Sequence, residues 1–250
     1  MKTSFLLAIA AFASTVVLAE PPDWSGYYVL ARTRADLTGL TVVNPDLNKT
    51  VKEHLQPWAK AKMEATNGIA DDTGAVCMPA GILRAPGTPF SGNFLFLPQA
   101  DKVIMAFWES MTSRVRRIYL NRDHPRNLRP TWNGDSIGHY EGQGDEATLV
   151  ADTIGFNDKS WLSGDMTPHT EETHLRERMR QIQKNGNTYI ELVGVVEDRY
   201  ALTSAYTYTR YYKKQTVEPP EHVCADDIAM WKQWRRDELK ALYQRASEVK

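Results

Sequence analysis

The central part of the chain, from about residue 94 to 214, is built of short runs in which apolar and polar residues alternate. Alternation with a period of two places successive side chains on opposite faces of a β-strand. The runs predict strands at 103–109, 114–120, 136–141, 148–156, 170–181, 189–197 and 205–212. No helical pattern separates them, so neighbouring strands are expected to pair antiparallel. So many strands favour an up-and-down, lipocalin-like barrel or a strongly curled sheet, because closure removes exposed edges; a two-sheet sandwich is the alternative.

Different patterns flank this β-rich region. Residues 24–32 predict one further strand, and apolar residues at helical spacing predict a helical segment over about 46–66, which Pro57 interrupts. Residues 74–98 are rich in Gly and Pro and predict a connecting segment. Residues 226–249 predict a C-terminal helix with an apolar stripe that includes Trp231 and Trp234. The chain is therefore expected to form a mainly β single domain over residues 20–250.

The first 19 residues have the pattern of a secretory signal peptide. Lys2 precedes an apolar run from Phe5 to Leu18, and small residues lead up to an expected cleavage site after Ala19. A membrane anchor is the alternative, but the run is shorter than the ~20 residues that span a bilayer. We therefore expect the protein to be exported to the periplasm or the extracellular space.

The charge balance excludes general nucleic-acid binding, which needs a basic surface. The 250 residues include 30 Lys and Arg against 31 Asp and Glu, a net charge of −1. Loss of Lys2 with the signal peptide changes this only to −2. No later segment is apolar enough for a membrane span, and the oligomeric state is left open.

Two cysteines, Cys77 and Cys224, stand on either side of the β-rich region. In an oxidising compartment, two cysteines without a CxxC motif are typical of one structural disulfide. A loop this long would be stabilised by roughly 4–5 kcal/mol in the chain-entropy treatment. Two free buried thiols are the alternative.

Glu177 is the most informative candidate residue, because it falls in the apolar row of its strand. The residues that share this face are Thr173, Leu175 and Met179, and His169 and Glu171 extend it toward the strand start. A carboxylate in such a row is costly unless it is paired or protonated. One interpretation is a buried ion pair with Arg116, Arg117 or Arg210. The other is a carboxylate with a raised pKa that acts as an acid or base in a cavity, with His169 as a second candidate.

Asp152 is a third candidate catalytic residue, because it alternates with Val150 and Ile154. The alternative is a structural hydrogen bond to a neighbouring Thr or turn. His139 shares a face with Ile137 and is a candidate ligand-binding residue.

Aromatic and amide side chains form a second group of candidate ligand-binding residues. They are Trp132, Asn133, Phe156, Asn157 and Trp161, with Glu171 as an acidic candidate. Such a mixture at a barrel rim would suit a flat or cyclic organic molecule. Phe156 and Trp161 could equally plug the end of the barrel.

Motifs for metal and cofactor chemistry are missing from the sequence. The histidines of the HTEETH segment, His169 and His174, are five residues apart, whereas a zinc helix of the HExxH type needs a spacing of four. No GxSxG elbow, P-loop or dinucleotide fingerprint is present. We therefore expect no metal and no cofactor.

Several motifs resemble those of a family of exported bacterial proteins. They are PTWNGDSIGHYEG at 130–142, TLVADTIGFNDKSWL at 148–162, PHTE at 168–171, and His174 with Glu177 and Arg178. Residues 121–125, NRDHP, are similar to the family's DGRxHP turn, and the family also has cysteines at the positions of Cys77 and Cys224. The resemblance covers about residues 74–226 and implies export but no activity. In style the β-region is also similar to lipocalin-like (calycin) barrels, which bind or transform hydrophobic small molecules.

These observations lead to one main functional hypothesis with two alternatives. We expect a small apolar or aromatic molecule to bind in a barrel cavity, with cofactor-independent acid–base chemistry such as isomerisation, elimination, hydration or cyclisation. In this scheme Glu177 or His169 is the base, and Asn133, Asn157 or His139 polarises a carbonyl or hydroxyl group. The alternatives are a non-catalytic ligand carrier and an envelope protein-interaction module.

Overall fold

A computed structural model describes residues 22–66, 71–73, 78–87, 93–108, 114–217 and 237. Its principal feature is a closed β-barrel, as the sequence pattern predicts. The strands are β1 (Gly26–Leu30), β2 (Asn93–Pro98), β3 (Lys102–Trp108), β4 (Arg114–Leu120), β5 (Asp135–Glu141), β6 (Thr148–Ile154), β7 (His174–Lys184), β8 (Asn187–Glu197) and β9 (Tyr206–Gln215). The expected signal peptide, the predicted C-terminal helix at 226–249 apart from residue 237, and both cysteines lie outside the described residues.

The strands follow one another around the barrel in chain order, and β1 closes the ring by pairing with β9. Neighbouring strands are antiparallel except β4 and β5, which are parallel, so the expectation of antiparallel pairing throughout is wrong at this position. The reason lies in residues 121–134, which return the chain to the end of the barrel where β4 began. The pairing between β4 and β5 covers only Ile118 to Leu120 and Ser136 to Gly138.

Two other boundaries differ from the sequence prediction. Residues 93–98 form strand β2 rather than part of a connection, because Phe94 and Phe96 point into the barrel and are fully buried. Residues 170–173 form a turn rather than the start of β7. The carboxylate of Asp198 holds this turn by accepting hydrogen bonds from the Thr170 N–H and from the Thr173 hydroxyl, at 2.7 and 2.8 Å.

Three short helices accompany the barrel. The predicted helical segment divides at Pro57 into α1 (Leu47–Glu53) and α2 (Pro57–Ala65), and the Asp46 side chain caps α1. A third helix, α3 (Gly81–Arg84), continues into a 3₁₀ turn at Ala85–Gly87. Residues 82–85 are all buried. The backbone carbonyl of Pro86 accepts a hydrogen bond from Arg210, a barrel residue, so this helix closes part of one barrel end. In the described part of the chain, no helix is long and apolar enough to cross a bilayer.

Aromatic side chains fill one side of the barrel interior. The ring centroid of Phe94 lies 4.8 Å from that of Tyr212 and 5.8 Å from those of Tyr28 and Phe107. Tyr28, Phe94 and Tyr212 are almost completely inaccessible to solvent. Buried charged residues lie elsewhere in the interior, among them Arg116 on β4 and Glu177 on β7.

Candidate functional site

The polar part of the barrel interior is organised around an ion pair between Arg116 and Glu177. Arg116 on β4 is 2% exposed and Glu177 on β7 is 3% exposed, and the Nη2 of Arg116 donates to the Glu177 carboxylate. The arginine also donates to the hydroxyls of Ser136 and Thr153, at 3.0 and 2.9 Å. These hydroxyls lie 2.9 Å from each other. Of the two interpretations of Glu177 from sequence, the structure therefore shows the buried ion pair.

Two tyrosines extend the polar interior away from this ion pair. Gly194 on β8 lies directly opposite both Glu177 and Tyr208, and the Tyr208 ring occupies the space that a side chain at Gly194 would fill. The hydroxyls of Tyr208 and Tyr206 are buried and have no partner among the described residues. Burial raises the pKa of Tyr208, and the negative charge of Glu177 raises it further. Both tyrosines are therefore neutral hydroxyl groups in the interior.

A groove of about 510 Å³ lies on the outside of the barrel next to this polar interior. It runs beside the short β4–β5 pairing, where residues 114–117 of β4 have no paired strand on that side among the described residues. Arg116 and Ser136 are among its lining residues but are each only 2% exposed, so the groove lies against the part of the wall that covers the ion-paired arginine. The other lining residues are Met78, Pro79, Val115, Arg117, Tyr119, Thr131, Trp132, Asn133, Gly134 and Asp135.

The loop that carries Trp132 and Asn133 is held tightly against the barrel. Thr131 forms a bridge with Phe156: the Thr131 N–H donates to the Gly155 carbonyl at 3.0 Å, and the Asn157 N–H donates to the Thr131 carbonyl at 2.8 Å. Gly134 has a positive φ of 64°, and a Cβ there would lie 2.7 Å from the Ile154 carbonyl oxygen. The groove wall is therefore preformed by backbone contacts.

His169 lies behind this loop and is completely enclosed. Its Nε2 lies 2.9 Å from the Ser160 hydroxyl, and its Nδ1 lies 3.0 Å from the Thr170 carbonyl. Because a carbonyl only accepts, Nδ1 carries the proton and Nε2 accepts from Ser160. Burial lowers the pKa of His169, so the ring is neutral. Ser160 is itself buried below Gly81, and this pair contacts neither the groove nor Glu177 in the part of the chain described here.

Asp152 points to the outside of the barrel, away from Glu177. Its carboxylate lies 3.0 Å from Nε2 of His124 and 2.7 Å from Nε2 of His174. The other ring nitrogen of His124 lies 2.8 Å from the carboxylate of Asp135, so His124 joins two acids. Burial alone would raise the pKa of Asp152, but the hydrogen bonds from both histidines outweigh it and lower the pKa.

The sequence predicted only part of this outer network of Asp135, His124, Asp152 and His174. Alternation places Asp152 on a face but does not show that residues 121–134 fold back across that face and bring His124 with them. Across the described residues, no three His, Cys, Asp or Glu side chains are arranged to hold a metal ion.

The remaining candidates from sequence lie apart from the ion pair. His139 is on the outer face of β5 beside Glu141, and Glu171 is exposed in the 170–173 turn. Phe156 is fully buried against the ring of His169. Asn157 is buried and its side chain accepts from the Lys159 N–H, while Nε1 of Trp161 is buried without a partner among the described residues.

The structure therefore brings some predicted site residues together and separates others. Trp132 and Asn133 share the groove, whereas Glu177, His169 and Asp152 occupy the interior, the closed end and the outer face. Arg116, which lies beside the groove, could have been identified from the sequence in the same way as Glu177. It alternates with Ile118 and Leu120, so it is a charged residue in an apolar row. No protein-family model matches this chain, and comparison with curated proteins gives no significant match.

Proposed function

We propose that the protein binds a small organic molecule in the groove beside β4 and β5 and serves as a ligand carrier. The observation that supports this is a groove of about 510 Å³ beside Arg116, whose charge is already balanced by Glu177 inside a closed barrel. Small-molecule sites are typically concave, preformed and mainly apolar, with a few fixed polar groups. The groove is concave and its wall is preformed, and its lining combines apolar and aromatic side chains with a similar number of polar ones.

The residues at the groove suggest the chemical class of the ligand. Tyr119 and Trp132 supply aromatic surface, and Met78 and Val115 are exposed apolar residues beside them. Asn133 adds an amide group that can donate and accept hydrogen bonds. We infer a flat or cyclic ligand with an apolar or aromatic body and a polar substituent directed toward the Arg116 side of the groove.

Binding accounts for the geometry better than catalysis by the three predicted catalytic residues. Glu177 is paired and buried, His169 hydrogen-bonds Ser160 in a closed pocket, and Asp152 faces the opposite side of the barrel wall from Glu177. A single substrate in the groove would not contact all three. Acid–base chemistry needs its groups within hydrogen-bond reach of the reacting atoms.

A second candidate function follows from the position of Asp135. This residue lines the groove and also binds His124, which continues to Asp152 and His174. A substrate beside Asp135 would have a hydrogen-bonded route for a proton to the outer surface. If the groove ligand is chemically altered by the wild-type protein and not by His124→Gln, the protein is an enzyme rather than a carrier.

Native mass spectrometry of protein purified from its own host tests the carrier proposal. We expect a retained small molecule that is lost in Trp132→Ala and kept in Trp58→Ala. Trp58 is the matched control, because it is a partly exposed tryptophan on α2 that does not line the groove. Equal retention by both variants would place the ligand elsewhere, and the absence of any retained or titratable ligand would contradict the proposal.

Export forms part of the same proposal. The pattern of residues 1–19 supports cleavage after Ala19 and delivery to the periplasm or beyond. Intact mass measurement of the mature protein should give a chain that begins at Glu20. Thiol titration under denaturing conditions should find no free thiol before reduction if Cys77 and Cys224 are bonded.

A further inference from the structure

A second cavity, separate from the groove, opens where β1 ends and the chain leaves the barrel wall. Its volume is about 280 Å³, equal to about nine water molecules at roughly 30 Å³ each. Apolar side chains supply most of its lining, among them Leu30, Leu37, Val42, Pro45 and Pro86. Two arginines, Arg32 and Arg210, belong to the same lining.

Arg210 is fixed in one orientation by backbone carbonyl groups. Its Nε donates to the Pro86 carbonyl at 2.8 Å, and its Nη1 donates to the carbonyls of Asn44 and Thr209 at 3.1 and 2.8 Å. These bonds use three of the five guanidinium N–H groups. The two on Nη2 have no hydrogen-bond partner among the described residues, and Arg210 is one of the residues that line the cavity.

The charge of Arg210 has no carboxylate partner within the part of the chain that the structure describes. Arg210 is 6% exposed, and of the described acidic residues none forms an ion pair with it. Burial lowers the pKa of Arg210, but a guanidinium group still keeps its proton at any physiological pH. The negative charge of Asp46 raises the pKa of Arg210. The like charges of Arg210 and Arg32 repel each other, which lowers the pKa of Arg32. A buried charge without a counter-ion is costly, and an anion in the cavity would remove this cost.

We propose that this cavity binds a small amphipathic organic acid, with its carboxylate on Nη2 of Arg210 and its hydrocarbon part against Leu37, Val42 and Pro45. A charge-assisted hydrogen bond from Nη2 suits this role, because the three carbonyl bonds already fix the guanidinium plane and leave only this nitrogen free to donate. The apolar lining favours a monoanion with a hydrocarbon chain over inorganic phosphate. The volume accommodates a ligand of about ten non-hydrogen atoms.

Calorimetric titration with octanoate tests the proposal, with octan-1-ol as the uncharged comparison of equal length. We expect octanoate to bind at least tenfold more tightly than octan-1-ol. Arg210→Lys should weaken octanoate binding by a similar factor, because the three N–H groups of an ammonium cannot replace the three carbonyl bonds and also donate to the ligand. Equal affinity for the two compounds, or no measurable octanoate binding, would overturn the proposal.

A second variant keeps the test decisive even if changes at Arg210 impair folding. Leu37→Glu places a carboxylate in the cavity while leaving the Arg210 side chain and its carbonyl partners in place. We expect it to abolish octanoate binding and to raise the unfolding temperature. Val43→Glu is the matched control, because Val43 is on the same loop but is exposed and does not line the cavity.

The outcomes also separate this site from the groove. Octanoate binding that survives Leu37→Glu unchanged would overturn the assignment to this cavity. Trp132→Ala should leave octanoate binding unchanged, so failure of the groove proposal and failure of this one give different results. Loss of octanoate binding in Trp132→Ala but not in Leu37→Glu would move the acid to the groove.

Discussion

Removing the carboxylate of Glu177 should destabilise the barrel far more than the loss of one hydrogen bond would. Glu177→Gln keeps the shape of the side chain but leaves the Arg116 guanidinium in the interior without a counter-ion. Among the described residues, the acceptors left around it would be the hydroxyls of Ser136 and Thr153, the more distant Met105 sulfur and the amide oxygen of the replacement glutamine, none of which carries a negative charge. Breaking one partner of a buried pair typically costs about 3–5 kcal/mol.

This cost is large enough to measure by urea unfolding. With a slope of about 2 kcal/mol per M, the midpoint should fall by about 1.5–2.5 M. A loss of this size is a considerable part of the roughly 5–15 kcal/mol that stabilises an ordinary domain. Glu141→Gln is the control, because the Glu141–Arg178 pair lies on the outer surface, where both side chains are about half exposed. That variant should leave the midpoint almost unchanged.

The double variant Arg116→Met with Glu177→Leu tests the reason for the effect. Replacing both charges by apolar groups removes the unpaired ion, and Ser136 and Thr153 still satisfy each other at 2.9 Å. We expect the double variant to be more stable than Glu177→Gln alone. The reasoning is refuted if Glu177→Gln lowers the urea midpoint no more than Glu141→Gln does. It is also refuted if the losses in unfolding free energy from the single substitutions at positions 116 and 177 simply add up to that of the double variant.

Three further predictions concern packing, pH and a helix terminus. Gly194→Ala should cost about 1–3 kcal/mol in chemical unfolding, because its Cβ would lie 2.3 Å from the Tyr208 ring; an unchanged midpoint would show that the ring moves freely. Because the pKa of His169 is lowered in the folded protein, the unfolded chain binds the extra proton, and stability should be complete above pH ~6.5 and fall as the pH decreases below it. His169→Gln should flatten this decline in a pH series of unfolding curves, and an equally steep decline would assign it to other groups. Asp46→Ala should cost about 1 kcal/mol, because the carboxylate accepts from the Lys49 N–H at 3.1 Å, whereas Asp46→Asn should retain most of the stability.

Local patterns predicted the strands well where one face of the strand is buried. The alternation of Leu175, Glu177 and Met179 identified the inner face of β7, and Asn185-Gly186, a dipeptide typical of hairpin turns, forms the turn between β7 and β8. The prediction at 93–98 was wrong because the glycines and prolines around it outweighed two alternating phenylalanines. The Gly and Pro residues around 93–98 therefore led to the prediction of a connection, although the alternation within the segment is that of a strand.

The candidate site was harder to predict, because its geometry depends on contacts between distant segments. Alternation could show that Arg116 and Glu177 both face inward, but not that they meet across the barrel. The exposed network at Asp152 depends on the path of residues 121–134, which places His124 between two strands. Sequence periodicity carries no information about such a path, since it describes only residues that are close in the chain.

The number of strands explains why the groove lies where it does. Strand direction can alternate all the way around a closed ring only if the number of strands is even, and the described part of this chain forms a ring of nine. One neighbouring pair must therefore be parallel, and here it is β4 and β5, which share three residue pairs, against eleven between β7 and β8. The barrel is thus two antiparallel meanders, β1–β4 and β5–β9, joined along a short seam. The groove lies on this seam, at the parallel pair that a closed ring with an odd number of strands requires.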